Sequence, residues 1–193
     1  MATRSKSQIV GEYKARIILI DEFIKAIEIL KSSDVVKSYD GKKITKRFTD
    51  KIENLLPNYI KIDLVAQSWS HFLNVRLYMN REIFGNIELQ KYLTYNDVSC
   101  EINQQEANRY EPADLTYCVN GIRTFNFEKF VKCAQREINL LNSEKTQYVA
   151  SIEKIDDVIQ KTQELQKLVR QTLAEFPSYI KPTISFNFTI TDD

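Results

Sequence analysis

The sequence predicts an α+β fold in which long, heptad-patterned helices pack with a small, mostly antiparallel sheet. Three observations predict it. The chain carries only four Gly and four Pro in 193 residues, about 4% where an average protein has roughly 12%, so most of its length must lie in long regular elements. Apolar residues recur at helical spacing over two long stretches, near 7–30 and 126–176. Elsewhere the period shortens to that of a strand, near 59–66, 72–79, 115–125 and 183–190, and these runs are expected to form one sheet. With 43% apolar residues the chain can build a core, and its length fits a single domain over 1–193.

The first helix is expected over about Ser7 to Leu30. Val10, Tyr13, Ile17, Ile20, Ile24 and Ile27 follow a heptad seam, and Leu19, Phe23, Ala26 and Leu30 widen it beyond what a solvated helix needs. Gly11 is the one Gly or Pro inside a patterned segment; the other seven mark boundaries. Ser32-Ser33-Asp34 and Asp40-Gly41 supply turn chemistry. A second helix over about 43–56 places Ile44, Phe48, Ile52 and Leu55 on one side and Lys43, Arg47 and Lys51 on another, and Pro57 ends it.

Ile60, Ile62, Leu64 and Ala66 then alternate with Lys61, Asp63 and Val65, and Leu73, Val75, Leu77 and Met79 alternate with Asn74, Arg76 and Tyr78. The two runs read as an antiparallel hairpin. Weaker patterns suggest a helix or turn near 87–92 and a strand near 97–102. Asn120-Gly121, between Leu115–Val119 and Ile122–Phe125, is the strongest two-residue hairpin signal in the chain.

Residues 122–176 contain no Gly or Pro. Ala134, Ile138, Leu141, Tyr148, Ile152, Ile155, Ile159 and Thr162 keep the heptad spacing if Lys145 is one polar seam position, and Leu165, Val169, Leu173 and Phe176 continue it with a slip. A helix of about 50 residues would be about 75 Å long, more than the diameter of a compact domain of this size. It must project and find a partner, or fold back near Asn142-Ser143, where Ser143 could cap a new segment; the continuous form is expected. Leu56-Pro57-Asn58-Tyr59-Ile60-Lys61 and Phe176-Pro177-Ser178-Tyr179-Ile180-Lys181 echo each other as helix-to-strand junctions. The final strand alternates Ile184, Phe186, Phe188 and Ile190 with polar residues.

Little points to catalysis. The only His is His71, whereas zinc and redox metals are bound by clusters of His and Cys. Cys100, Cys118 and Cys133 are odd in number and widely spaced, so reduced thiols and buried packing are expected. Four scattered glycines cannot build a phosphate loop, a dinucleotide fingerprint or a nucleophile elbow. The expectation is no enzyme, no metal and no cofactor. Met1 to Ser7 are basic but lack the apolar stretch of a secretory signal, and no run is long and apolar enough for a membrane span. A protein that is not secreted, cytoplasmic or within a viral particle, is expected.

The chain has 27 basic and 26 acidic side chains, so any electrostatic function must be local. Residues 1–51 carry 12 basic and 7 acidic groups, with Lys42, Lys43, Lys46, Arg47 and Lys51 forming a candidate basic patch, and residues 80–116 carry 3 basic and 7 acidic. The candidate helix–helix interface is Val10, Tyr13, Ile17, Ile20, Ile24 and Ile27 with Ile138, Leu141, Tyr148, Ile152, Ile155 and Ile159. The sequence is therefore read as a non-enzymatic assembly protein, an oligomeric subunit of a larger complex such as a viral particle, with protein partners that include copies of itself. Two alternatives stay open: nucleic-acid binding through the basic patch, and inhibition of another protein through the acidic middle section.

Overall fold

The computed structural model describes residues 5–66, 73–94, 98–102, 116–119 and 122–175. Its architecture is α+β. Helix α1 (Lys6–Ser32) opens with a capping box, in which Ser5 Oγ accepts from the Gln8 amide at 3.3 Å and Gln8 Oε1 accepts from the Ser5 amide at 2.7 Å. Ser33 ends α1 and caps the short α2 (Asp34–Lys37), where the sequence suggested only a turn. Helix α3 (Lys46–Glu53) is shorter at both ends than the expected 43–56. Thr45 must be extended to cap it, Lys43 is held as a bridge to Thr124, and Asn54 closes the helix three residues before Pro57.

Strands β1 (Ile60–Ala66) and β2 (Leu73–Met79) form the expected antiparallel hairpin, with Ile60 opposite Met79 and Leu64 opposite Val75. Helices α4 (Arg81–Phe84) and α5 (Ile87–Tyr92) follow, capped by Asn80 and Asn86 and separated by Gly85 in the left-handed conformation at φ 71°. Strand β3 (Ser99–Ile102) pairs antiparallel with β2, from Tyr78 opposite Ser99 to Val75 opposite Ile102.

The segment 115–125 does not join this sheet, which corrects the expected strand order. Strands β4 (Thr116–Val119) and β5 (Ile122–Phe125) make a separate two-stranded unit, and β3 is the third strand of the main sheet. The backbone pairing of Phe125 goes elsewhere: its carbonyl accepts from Gly41 at 2.8 Å and its amide donates to the Lys42 carbonyl at 2.9 Å. The Asn120-Gly121 turn, the final strand 183–190 and the second of the two echoed Pro junctions lie outside the described residues.

Helix α6 (Phe127–Ala174) is continuous over 48 residues, about 72 Å. It does not fold back near 142–143. Asn142 and Ser143 have modest helix propensity, which costs a few tenths of a kcal/mol each, and packing on α1 continues across that point. Leu141 is buried before it and Lys145 bonds Asp21 after it. Two side chains fix the start of α6: Asn126 Oδ1 accepts from the Lys129 amide at 3.0 Å, and Asp40 Oδ1 accepts from the Phe127 amide at 2.9 Å.

The core lies between α1, α6 and the inner face of β1–β3, with Ile60, Ile62, Val75, Leu77, Cys100 and Ile102 pointing into it. An aromatic chain ties α3, β5 and α6 together, with centroid separations of 4.3 Å for Tyr39–Phe48, 5.0 Å for Phe48–Phe125 and 5.6 Å for Phe125–Phe130.

Candidate assembly surface and basic patch

Helices α1 and α6 run antiparallel, and four pairs set their register. Lys31 Nζ donates to Gln135 Oε1 at 2.6 Å, Lys145 Nζ meets Asp21 Oδ1 at 2.6 Å, the Tyr13 and Tyr148 rings are 5.2 Å apart, and Lys6 lies 3.6 Å from Asp156. Of the candidate interface residues, Ile20, Ile27, Ile138 and Leu141 are buried, while Val10, Tyr13, Ile17, Ile24, Tyr148, Ile152, Ile155 and Ile159 are half-buried. Leu19, Phe23, Ala26 and Leu30, the residues that only widen the seam in the sequence, are as fully enclosed as Ile20 and Ile27. The reason is that α1 is flanked on two sides. Tyr13 and Asp21 meet α6, whereas Gly11 lies under Tyr92 of α5 and Glu22 accepts from the Tyr59 hydroxyl at 2.6 Å.

Lys145, the polar interruption of the seam, is satisfied by Asp21 across the helix pair. Opposite charge keeps the ladder in one register where an apolar residue would tolerate a slip.

The described part of α1 ends level with Asp156, and α6 continues through residues 157–174, 18 residues or about 27 Å. Along this overhang Ile159, Thr162, Val169 and Leu173 are half-buried as the expected seam requires, but Gln166 is half-buried in place of Leu165, which corrects that seam position. Beside them Val158, Leu165 and Leu168 are 48%, 49% and 59% exposed.

The five basic candidates are all exposed. The structure brings two of them to one aromatic ring: Lys42 Nζ and Lys51 Nζ lie 5.6 Å and 5.9 Å from the Tyr39 centroid. Lys46 and Arg47 are on α3, while Lys42 and Lys43 lie before it, against β5. None of the five forms an ion pair with a carboxylate among the described residues. Nothing in the sequence marks Tyr39 as part of this patch. Its spacing from Lys42 is local, but Lys51 reaches it only through the fold. The other basic–aromatic candidates are already engaged: Arg76 bonds Glu101 and Tyr78, and Lys61 Nζ is 2.7 Å from Glu53 Oε1. Much of the acidic section, residues 103–115, lies outside the described residues.

A cleft of about 330 Å³ is lined by Lys61, Tyr78, Met79, Asn80, Arg81, Glu82 and Val98. Its cations do not converge on an open position, because Lys61 pairs with Glu53 and Arg81 donates to the Leu93 carbonyl. Cys100 Sγ donates to Glu137 Oε1 at 3.5 Å. Burial first, and then the Glu137 carboxylate, push the thiol far above its usual range, the opposite of what a nucleophile needs. Among the described residues no three His, Cys, Asp or Glu side chains group as metal ligands would, and no helix is long and apolar enough to cross a membrane. No family model, curated protein or solved structure matches the chain.

Proposed function

We propose that this chain is a non-enzymatic assembly protein that enters a larger complex through the distal half of α6. The observation that carries the reading is the continuation of α6 for about 27 Å beyond the start of α1. A compact domain of this length has a radius of gyration of roughly 16 Å, so a 72 Å helix extends well outside it. Among the described residues, α1 does not reach the distal segment, which displays three largely exposed apolar side chains. Such patches favour association. The partners are protein subunits, copies of this chain among them, in the cytoplasm or in a particle such as a virion.

Light scattering on the full chain at two concentrations tests this. The expected mass exceeds 22.6 kDa and rises with concentration, and replacing Val158, Leu165 and Leu168 with Glu returns it to the monomer. A strict monomer at both concentrations overturns the reading.

A second reading has its own observation. Lys42 and Lys51 converge on Tyr39 without a described carboxylate partner, which is a surface suited to phosphate groups beside an aromatic ring. A salt-dependent gel shift with single-stranded nucleic acid, lost on substitution of Lys43, Arg47 and Lys51 by Glu, is expected on this reading. A shift indifferent to those substitutions overturns it.

A further inference from the structure

We infer that the basic patch around α3 grips the phosphate backbone of a nucleic-acid strand without reading its bases, and that Tyr39 positions the lysines of the patch instead of stacking on a base. This rests on the nucleic-acid reading above and adds to it the part of the ligand that is held.

Residues 42–51 carry five cations, Lys42, Lys43, Lys46, Arg47 and Lys51, against one carboxylate, Asp50. All five are exposed, and none pairs with a carboxylate among the described residues. The acids that flank the stretch are committed elsewhere. Asp40 accepts from the Phe127 amide at 2.9 Å, and Glu53 pairs with Lys61 at 2.7 Å. The patch is therefore an unneutralised positive surface on an almost neutral chain, and such a surface draws polyanions. Within it Ile44 is half-buried and Phe48 is buried, so it offers no apolar side chain for insertion into a membrane.

The fold fixes where these cations stand. Lys42 lies in a loop pinned to β5: the Gly41 amide donates to the Phe125 carbonyl at 2.8 Å, and the Phe125 amide donates to the Lys42 carbonyl at 2.9 Å. Arg47 and Lys51 are about 6 Å apart along the axis of α3. Lys42 and Lys51 then converge on one ring, at 5.6 Å and 5.9 Å from the Tyr39 centroid. Two ammonium groups drawn to one ring repel each other, and an anion placed between them relieves that repulsion. A nucleic-acid strand supplies such anions in a row, which suits a further cation one helical turn away.

The ring itself is already occupied. Phe48 stacks on it at 4.3 Å and is fully buried, with Phe125 5.0 Å behind. The two ammonium groups also lie over the ring, and a base would have to displace them. Without a free aromatic face there is no stacking platform, and contacts to phosphate alone carry no sequence information.

Fluorescence anisotropy of the full chain tests this, with an oligothymidine strand and an abasic strand of the same length, each across a salt series. The two strands should bind within about threefold of each other, whereas a stacked base would favour oligothymidine by about fivefold or more. Lys42→Gln, Arg47→Gln and Lys51→Gln should each reduce the slope of log affinity against log salt by about 0.7. Tyr39→Leu keeps apolar packing on Phe48 and should weaken both strands by the same factor, about threefold; Tyr39→Phe should restore them. Comparing two strands on one variant cancels any loss of folded protein. An abasic strand that fails to bind, or a Tyr39→Leu loss confined to oligothymidine, means base stacking and overturns this inference while leaving the nucleic-acid reading standing. Absence of binding to either strand at low salt, or displacement by polyglutamate as effective as by the strands themselves, overturns both.

Discussion

The ring of Tyr92 lies against the backbone of Gly11, so close that a methyl group on residue 11 would come within 2.2 Å of Tyr92 Cζ. The one Gly inside a patterned segment therefore has a packing role: it lets α5 approach α1. Gly11 is buried and helical, so its lack of a side chain matters here more than its backbone freedom.

Gly11→Ala is expected to destabilise the protein by up to about 2 kcal/mol. Alanine gains about 1 kcal/mol of helix propensity, but overpacking at the Tyr92 ring costs about 1–3 kcal/mol. In a Tyr92→Ala background the same substitution should stabilise by about 1 kcal/mol. Urea unfolding of the four proteins checks this, and an unchanged sign in the two backgrounds would contradict the contact.

Tyr59→Phe should cost about 1.5 kcal/mol, because Glu22 is 8% exposed and loses the donor that reaches it from just before β1, while Lys25 still pairs with its other oxygen. Burial, then the bond to Glu22, push the Tyr59 hydroxyl up to about 12. The folded state holds this proton more tightly than the unfolded state does. The resulting stability is complete below pH 10 and is lost as pH rises from about 10 towards 12. Thermal unfolding across that window should show a steeper decline for the wild type than for Tyr59→Phe.

Glu137→Gln is expected to stabilise the protein at neutral pH. Burial raises the Glu137 carboxyl above its usual range, and Gln keeps an acceptor for Cys100 without a charge. Below the ordinary carboxylate value both folded and unfolded states are protonated, and the variants should melt together. The wild type should fall behind as pH rises through about 4.3. Melting temperatures at pH 3.5 and 7 measure the crossover.

Cys100 should resist alkylation in the native protein. Its thiol is buried and held protonated, so iodoacetamide at pH 8 should label it only at the rate of unfolding. Peptide mapping with and without denaturant tests this; native labelling of Cys100 as fast as that of a free thiol would show that β3 opens.

Much of the fold is legible in the sequence because its signals are local. Hydrophobic period separates α1 and α6 from β1 and β2, and the absence of Gly and Pro through residues 122–176 foretells a continuous helix. The limits of α3 are not legible locally, because Lys43 answers to Thr124, a residue about 80 positions away. Lys145 stands out in the sequence as an odd seam residue, but Asp21 as its partner does not. Likewise, Lys42 and Lys51 read as charges on a local stretch, whereas their meeting at Tyr39 follows from how α3 is set against the loop after α2.

The sequence by itself determined the α+β class, the β1–β2 hairpin and the length of α6, because propensity and periodicity act over a few residues along the chain. Only the tertiary structure decided that β4–β5 stands apart from the main sheet, that Tyr92 fills the space over Gly11, and that α1 begins level with Asp156. Those outcomes depend on which backbone edge finds a hydrogen-bonding partner and on where one helix ends against another. Both are relations between distant segments that no local pattern encodes.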